Sequence, residues 1–193
     1  MRKILHLNDG WEFTPAFSED FLGGAGEYEA VRLPHTCKVT PFNYFDESIY
    51  QMVCGYRRRL DLSEREDRRA FVCFGAAAHY ARIYLDGALI GEHYGGYTAF
   101  EVELVTENPS PLLTVELDTR ESLDIPPFGH VIDYMTYGGL YREVRLEYRA
   151  ESYIADVFAK PTLPAGVKVS SKMNPKLIAG LTFDGAVDCE IEI

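Results

Sequence analysis

Alternation of apolar and polar residues with a period of two is the feature that most restricts the fold of this chain. The stretches "TAFEVEL" (98–104) and "LLTVELD" (112–118) each place their apolar residues on one face and acidic or hydroxyl side chains on the other. In "YARIYLDGALIG" (80–91) the alternation turns at Asp86-Gly87, a strong hairpin signal. No stretch keeps a period of 3.6 for three turns. The pattern predicts an all-β fold, an antiparallel β-sandwich of two sheets packed face to face.

Net charge and the spacing of cysteines and histidines argue against nucleic-acid-binding, membrane-binding and metal-binding functions. The 193 residues include 19 basic and 30 acidic side chains, a formal net charge of -11. Phosphate backbones and anionic membranes would repel such a chain, so we expect no nucleic-acid and no membrane partner. Neither the cysteines nor the histidines have metal-ligand spacing, and we predict no metal and no cofactor. The apolar start is too short for a signal peptide, which makes a cytoplasmic location the expectation.

The character of the sequence changes near residue 150. Residues 1–150 read as one complete sandwich, and residues 151–193 contain prolines and a new set of short strands. These 43 residues are far fewer than the ~100 of an immunoglobulin-like sandwich, and the alternation continues to the last residue. We therefore expect an incomplete second sandwich and a chain that is the N-terminal part of something longer. A small β appendage is the alternative.

Two arginines interrupt the predicted apolar faces. Arg58 shares the parity of Tyr56 and Leu60, and Arg142 shares that of Leu140 and Val144. A guanidinium that faces a core stays charged and must find carboxylates or carbonyls. The pattern predicts buried structural ion pairs, and ligand-binding arginines are the alternative.

The segment 118–139 alternates poorly and is long for a connection inside a compact domain. It contains Pro126-Pro127, and its aromatic residues argue against disorder. Long connections of this kind are usually functional or interfacial. We found no nucleophile, phosphate-binding or metalloprotease motif along the chain. On the residues alone the function stays open.

Five stretches, in order, resemble the N-terminal region of glycoside hydrolase family 2, the group of β-galactosidases and β-glucuronidases. They are "LNDGWEF" (7–13), "VRLPHT" (31–36), "GYRRRL" (55–60), "ARIYLDGALIGEHYGGYTAFEVEL" (81–104) and "YGGLYREVRL" (137–146). The resemblance implies a jelly-roll sugar-binding domain over 1–150 and part of an immunoglobulin-like domain over 151–193. It also implies a catalytic (β/α)8 barrel, whose two glutamates match nothing here. The chain alone should therefore be inactive, with no catalytic residue of its own.

The resemblance also implies two substrate-binding residues at the mouth of the parent's active site. Asp133 aligns with an aspartate that precedes the glycine-aromatic-arginine signature, and Asn43 is the nearest candidate for an asparagine after the "LPH" motif. The alternative for Asp133 is a carboxylate that caps the turn into the next strand. The expected partners are a β-galactoside-type carbohydrate at an interdomain pocket, the missing barrel and further copies of the chain in a homo-oligomer. The other hypotheses are a stand-alone carbohydrate-binding module and an interaction domain without sugar affinity.

Overall fold

Two antiparallel sheets form the body of the protein. The computed structural model describes residues 2–43, 46–126, 128–129, 136–162 and 176–184. The first sheet has the order β1-β10-β5-β8, with β1 (Lys3–His6), β5 (Arg69–Phe74), β8 (Phe100–Glu103) and β10 (Val144–Arg149). The second has the order β3-β2-β4-β9-β6-β7, with β2 (Trp11–Thr14), β3 (Glu29–Val31), β4 (Val53–Arg59), β6 (Tyr80–Leu85), β7 (Ala88–Tyr94) and β9 (Leu112–Asp118). This is the predicted antiparallel β-sandwich.

The alternating pattern predicted the core-facing residues of the strands correctly. Ala81 and Ile83 of β6 are fully buried, and so are Leu113, Val115 and Leu117 of β9. Cross-strand pairs such as Ile83–Val115 bring these side chains together on the inner face of the second sheet. Each fully buried aliphatic side chain contributes about 1.5–3 kcal/mol through the removal of apolar surface from water.

The predicted hairpin is also confirmed. Asp86 and Gly87 both have positive φ, +48° and +83°, between β6 and β7. Two consecutive left-handed residues make a turn whose twist matches that of the flanking strands. The Asp86 carboxylate accepts hydrogen bonds from the backbone N–H of Leu112 and from the amide of Asn108, which fixes the turn to the neighbouring strand.

The buried arginine of β4 is Arg57 and not Arg58, so the prediction for Arg58 is wrong. Arg58 is half-buried, and its Nη1 donates to the backbone carbonyl of Asp9. Arg57 is 3% exposed and lies on the outer face of the sheet, where the short helix α1 (Glu19–Leu22) covers it. Its Nε is 2.5 Å from Glu12 Oε2, its Nη1 is 2.9 Å from the carbonyl oxygen of Phe21, and its guanidinium lies over the Phe21 ring.

A second buried charge, Glu147, lies on the outer face of the first sheet. Its side chain has no exposed surface, and Arg2, Arg145 and Arg149 all donate to its oxygens at distances of 2.5–3.1 Å. Burial alone would raise the pKa of Glu147, but these hydrogen bonds outweigh it and hold the pKa at about 2. Arg149 also pairs with Glu101, so the cluster continues to the edge strand β8.

Beyond the sandwich, β11 (Tyr153–Thr162) and β12 (Lys176–Asp184) form an antiparallel two-stranded sheet. The Tyr153 ring packs edge-on against Phe71 of the sandwich, and the Arg149 guanidinium lies 5.0 Å from the Tyr153 ring centroid. The division at residue 150 and the immunoglobulin-like character of 151–193 stay predictions.

Helical structure in the described ranges consists of α1 and a single 3₁₀ turn over Glu47–Tyr50. Neither element has the length or the apolar composition needed to cross a lipid bilayer.

Candidate functional site

The two predicted substrate-binding residues differ in what the structure shows of them. Asp133 lies outside the described residues. Asn43 is exposed, in an irregular segment between β3 and the 3₁₀ turn, and residues 44 and 45 beside it lie outside the described ranges. The predicted substrate-binding role of each stays a prediction. Thr136, the first described residue after Asp133, is buried and lies at the rim of a cleft.

The cleft has a volume of about 500 Å³ and lies where the long segment 118–139 joins the last strand of the sandwich. That size is within the usual range of ~300–1,000 Å³ for small-molecule sites. Four separate parts of the chain supply its side chains, which include Thr36, His79, Tyr97, Tyr137, Tyr141 and Arg142. Sequence positions far apart therefore converge on one concave, aromatic-rich surface.

Two glycines hold the wall of the cleft in place. A Cβ at Gly138 would lie 2.4 Å from the side chain of Thr119, and one at Gly139 would lie 2.4 Å from the carbonyl oxygen of His35. Gly139 also has φ +132°, a backbone conformation that other residues rarely adopt. Its N–H and carbonyl pair with Ala78 at 3.3 and 3.2 Å, while the Gly138 carbonyl accepts from the N–H of Cys37 at 3.0 Å. The close packing around Gly138 and Gly139 thus leaves no room for a larger side chain at either glycine of the "YGG" sequence.

Tyr141 and Arg142 are fixed by backbone carbonyls from the turn after β7 and from the end of β5. The Tyr141 hydroxyl donates to the carbonyl of Gly96. Arg142 Nη1 lies 3.2 Å from the carbonyl oxygen of Tyr97 and 3.4 Å from that of Gly75. Arg142 is exposed, and the prediction of a buried ion pair for it is wrong. The strand β10 begins only at Val144, so Arg142 lies in the preceding turn, where strand parity does not apply.

His79 is the least expected group in the cleft. The residue is 3% exposed, and neither Nδ1 nor Nε2 has a hydrogen-bond partner among the residues that the structure describes. Its backbone is fixed, because its N–H donates to Asp118 and its carbonyl accepts from Gly95. Burial lowers the pKa of His79, against the opposing effect of the Glu121 and Asp118 carboxylates. The imidazole is therefore neutral near pH 7 and offers one donor and one acceptor.

A nearby histidine provides a contrast. The Nδ1 of His35 lies 2.9 Å from the hydroxyl of Tyr56, and its ring packs against Phe13 and Tyr56 at centroid distances of 4.9 and 5.7 Å. Burial lowers the pKa of His35 as well, against the effect of Glu29. The half-buried His35 is thus hydrogen-bonded inside the protein, whereas both ring nitrogens of the buried His79 are shielded from solvent and have no hydrogen-bond partner among the described residues.

The sequence gives no short-range signal for His79. The residue stands in "GAAAHYARI", and its neighbours in the cleft include Thr36, Tyr97 and residues from 136–142, which only the fold brings close. Among the residues that the structure describes, no three His, Cys, Asp or Glu side chains lie close enough together to hold a metal ion.

Comparison with curated proteins finds relatives among glycosidases. A β-galactosidase of Thermoanaerobacterium thermosulfurigenes is 40% identical over 164 residues, which cover 81% of this chain and 23% of that protein. A β-galactosidase of Rhizobium meliloti is 31% identical over 201 residues, 97% of this chain and 25% of that protein. This chain therefore spans about a quarter of the length of these relatives. No family model matches it.

Comparison with solved structures also finds glycosidases that match most of this chain. A β-glucuronidase of Bifidobacterium dentium, complexed with coumarin-3-O-glucuronide, matches 96% of this chain and 36% of its own with a TM-score of 0.79. Its sequence identity is 20%, so this likeness shows the fold alone. Together with the sequence relatives, it shows that the chain belongs to glycoside hydrolase family 2 and corresponds to the N-terminal β-sandwich region of its β-galactosidases and β-glucuronidases.

Proposed function

We propose that this chain is the non-catalytic N-terminal part of a glycosidase that hydrolyses terminal β-galactosides, and that it forms one wall of the active-site mouth. The observation that carries the proposal is the cleft at the downstream end of the segment 118–139, the segment that includes Asp133. A wall built from fixed turns and close-packed glycines can hold a substrate-facing side chain in one position. In the proposal, Asp133 and Asn43 accept hydrogen bonds from sugar hydroxyls.

The choice of a galactoside rests on the sequence relatives. The proteins named above that are 40% and 31% identical to this chain are both named β-galactosidase. The β-glucuronidase with the similar fold is less similar in sequence. Contacts with a catalytic barrel in the rest of the parent chain, a homo-oligomer and a cytoplasmic location belong to the same proposal.

A chimera tests this proposal. This chain replaces the matching N-terminal region of the T. thermosulfurigenes β-galactosidase, and hydrolysis of p-nitrophenyl β-galactoside and β-glucuronide is measured. We expect turnover of the galactoside by the chimera and none by the isolated chain. Asp133→Asn should lower kcat/KM at least about tenfold, the scale of one lost hydrogen bond to a substrate in a water-poor pocket. Asp124→Asn, an exposed carboxylate of the same segment, is the matched control and should change nothing.

The outcomes separate the alternatives. A folded chimera without activity on either glycoside would reject the proposal. Preference for the glucuronide would correct the substrate. An Asp133→Asn chimera as active as the parent chimera would make Asp133 a capping residue. Micromolar binding of a galactoside by the isolated chain would instead favour a stand-alone carbohydrate-binding module.

A further inference from the structure

We propose that the pocket lined by Arg57, Arg58 and Arg59 binds a small oxyanion, a phosphate group that is either free or carried by a monoester. The pocket lies at the end of β4, whereas the cleft lies near the beginning of that strand, where Asp118 accepts from the backbone of His79. The proposal does not rest on the proposed function.

Arg58 and Arg59 have no carboxylate partner among the residues that the structure describes. Arg58 Nη1 donates to the backbone carbonyl of Asp9, and Arg59 Nη1 lies 2.9 Å from the carbonyl oxygen of Ser110. Each guanidinium has further N–H groups that donate to no atom in that part of the chain. Arg58 is also half-buried, and burial lowers its pKa against the opposing effect of Asp9. A bound oxyanion would give this partly desolvated cation the charged partner that it lacks.

The carboxylates that contact or act on these arginines are already paired. Glu12 Oε2 lies 2.5 Å from Arg57 Nε, and the Asp9 carboxylate lies 2.8 Å from Nε of Arg32. Two carboxylates thus face four arginines, so the local charge is positive in a chain of net charge -11. This local excess attracts a small anion, whereas the net negative charge still repels a polyanion such as nucleic acid.

Two of the arginines are held in position by the fold. Arg57 is 3% exposed, and its Nη1 lies 2.9 and 2.5 Å from the carbonyl oxygens of Phe21 and Ala25. Arg58 lies beside Gly10, another lining residue, where a Cβ would be 4.0 Å from the guanidinium Cζ. Guanidinium groups bind oxyanions through two parallel N–H groups, and a fixed orientation reduces the entropy lost on binding.

The size and lining of the pocket suit a phosphate group. Its volume of about 320 Å³ is at the lower end of the range for small-molecule sites. The Tyr28 ring, which is 53% exposed, and Leu112 provide apolar contacts for the organic part of a monoester. Several unpaired N–H groups and an excess of positive charge favour a divalent oxyanion over chloride.

The experiment is a titration of the isotope-labelled 193-residue chain with sodium phosphate at pH 7.5, with sodium chloride used to keep the ionic strength constant. NMR follows the backbone amides and the arginine Nε–H groups. We expect saturable binding with a Kd of about 1 mM or below, and signals of Gly10 and Arg58 among those that move most. The same titration with phenyl phosphate distinguishes the two sources. Tighter binding of phenyl phosphate assigns a monoester, and equal or weaker binding assigns free phosphate.

Three variants make the result decisive. Arg58→Gln removes the half-buried cation and should weaken phosphate binding at least about tenfold. If Arg58→Gln does not fold, Arg59→Gln decides the question, because that exposed side chain can be replaced without opening the core and its loss should weaken binding at least about threefold. Arg120→Gln makes the same change of charge at an exposed position beyond the end of β9 and should leave the Kd unchanged.

Four results would each overturn the proposal. They are shifts that do not saturate by about 20 mM phosphate, shifts centred away from Gly10 and Arg58, unchanged affinity of Arg58→Gln or, in its place, of Arg59→Gln, and an equal loss of affinity in Arg120→Gln. The last result would show that phosphate responds to the net charge of the chain and not to this pocket.

Discussion

Replacement of Glu147 by glutamine should destabilise the sandwich in a manner that depends on pH. The buried carboxylate accepts hydrogen bonds from Arg2, Arg145 and Arg149, and these bonds hold its pKa at about 2 against an ordinary value of 4.5. At about 1.36 kcal/mol per pH unit, this difference corresponds to about 3 kcal/mol of stability at neutral pH. Glutamine is uncharged and forfeits this contribution.

The direction with pH follows from the depressed pKa. The stabilisation is complete above the unfolded-state pKa near 4.5 and is lost as the pH falls towards the folded-state value of about 2. The deficit of Glu147→Gln should therefore fall from about 3 kcal/mol at pH 7 to about 2 kcal/mol at pH 3.5. Protonation of Glu147 in the unfolded chain, which is about 90% complete one pH unit below its pKa, causes the change, and the fold does not rearrange.

Urea denaturation of both proteins, followed by Trp11 fluorescence at pH 7, 5 and 3.5, measures these values. Glu64→Gln provides the control, because Glu64 pairs with Lys3 on an exposed surface and should contribute at most about 1 kcal/mol. A deficit below 1 kcal/mol at pH 7, or a deficit that grows as the pH falls, would refute the account of the cluster.

Three further results are expected. His35→Phe should lower the free energy of unfolding by about 1–3 kcal/mol, because the buried Tyr56 hydroxyl loses its imidazole partner, and His79→Phe should cost less in the same denaturation assay. Gly139→Ala should destabilise by more than about 2 kcal/mol, since it combines a positive φ with a backbone clash, and a melting temperature unchanged from wild type would contradict this. Cys73 should resist iodoacetamide at pH 7.5 in peptide-mapping mass spectrometry until the chain is unfolded, because burial raises the pKa of its thiol to about 12.

The strand pattern could be predicted from sequence because each strand has one face on a shared core. Ile83 and Val115 are buried where period-two alternation places them, and the Asp86-Gly87 turn joins the predicted strands. The arginines show the limit of that argument. Arg57 is buried on the face that alternation assigns to solvent, because the helix α1 packs over it. The alternation within a strand does not indicate whether another element covers its outer face.

The candidate site was harder to predict for a related reason. Asp133 and Asn43 could be suggested from sequence, because the comparison of short motifs one at a time is enough to identify them as candidates. The other side chains around His79 in the cleft include Thr36, 43 residues earlier, and residues 18–63 positions further along the chain, and His79 has no motif of its own. Only the packing of the turns at Gly96 and Gly139 against Ala78 brings the cleft together.

The position of β1 has a consequence for the order in which the protein can be assembled. β1 is the edge strand of the first sheet and pairs with β10, so that Leu5 faces Leu146, about 140 residues later. At a synthesis rate of about 5–20 residues per second, the first strand waits roughly 7 to 30 s for its partner to be made. The second sheet can begin to pair earlier, since β2, β3 and β4 follow one another closely. Final closure of the sandwich is therefore a late event that joins the two ends of residues 1–150, and chaperones that bind an apolar N-terminal strand would act in that interval.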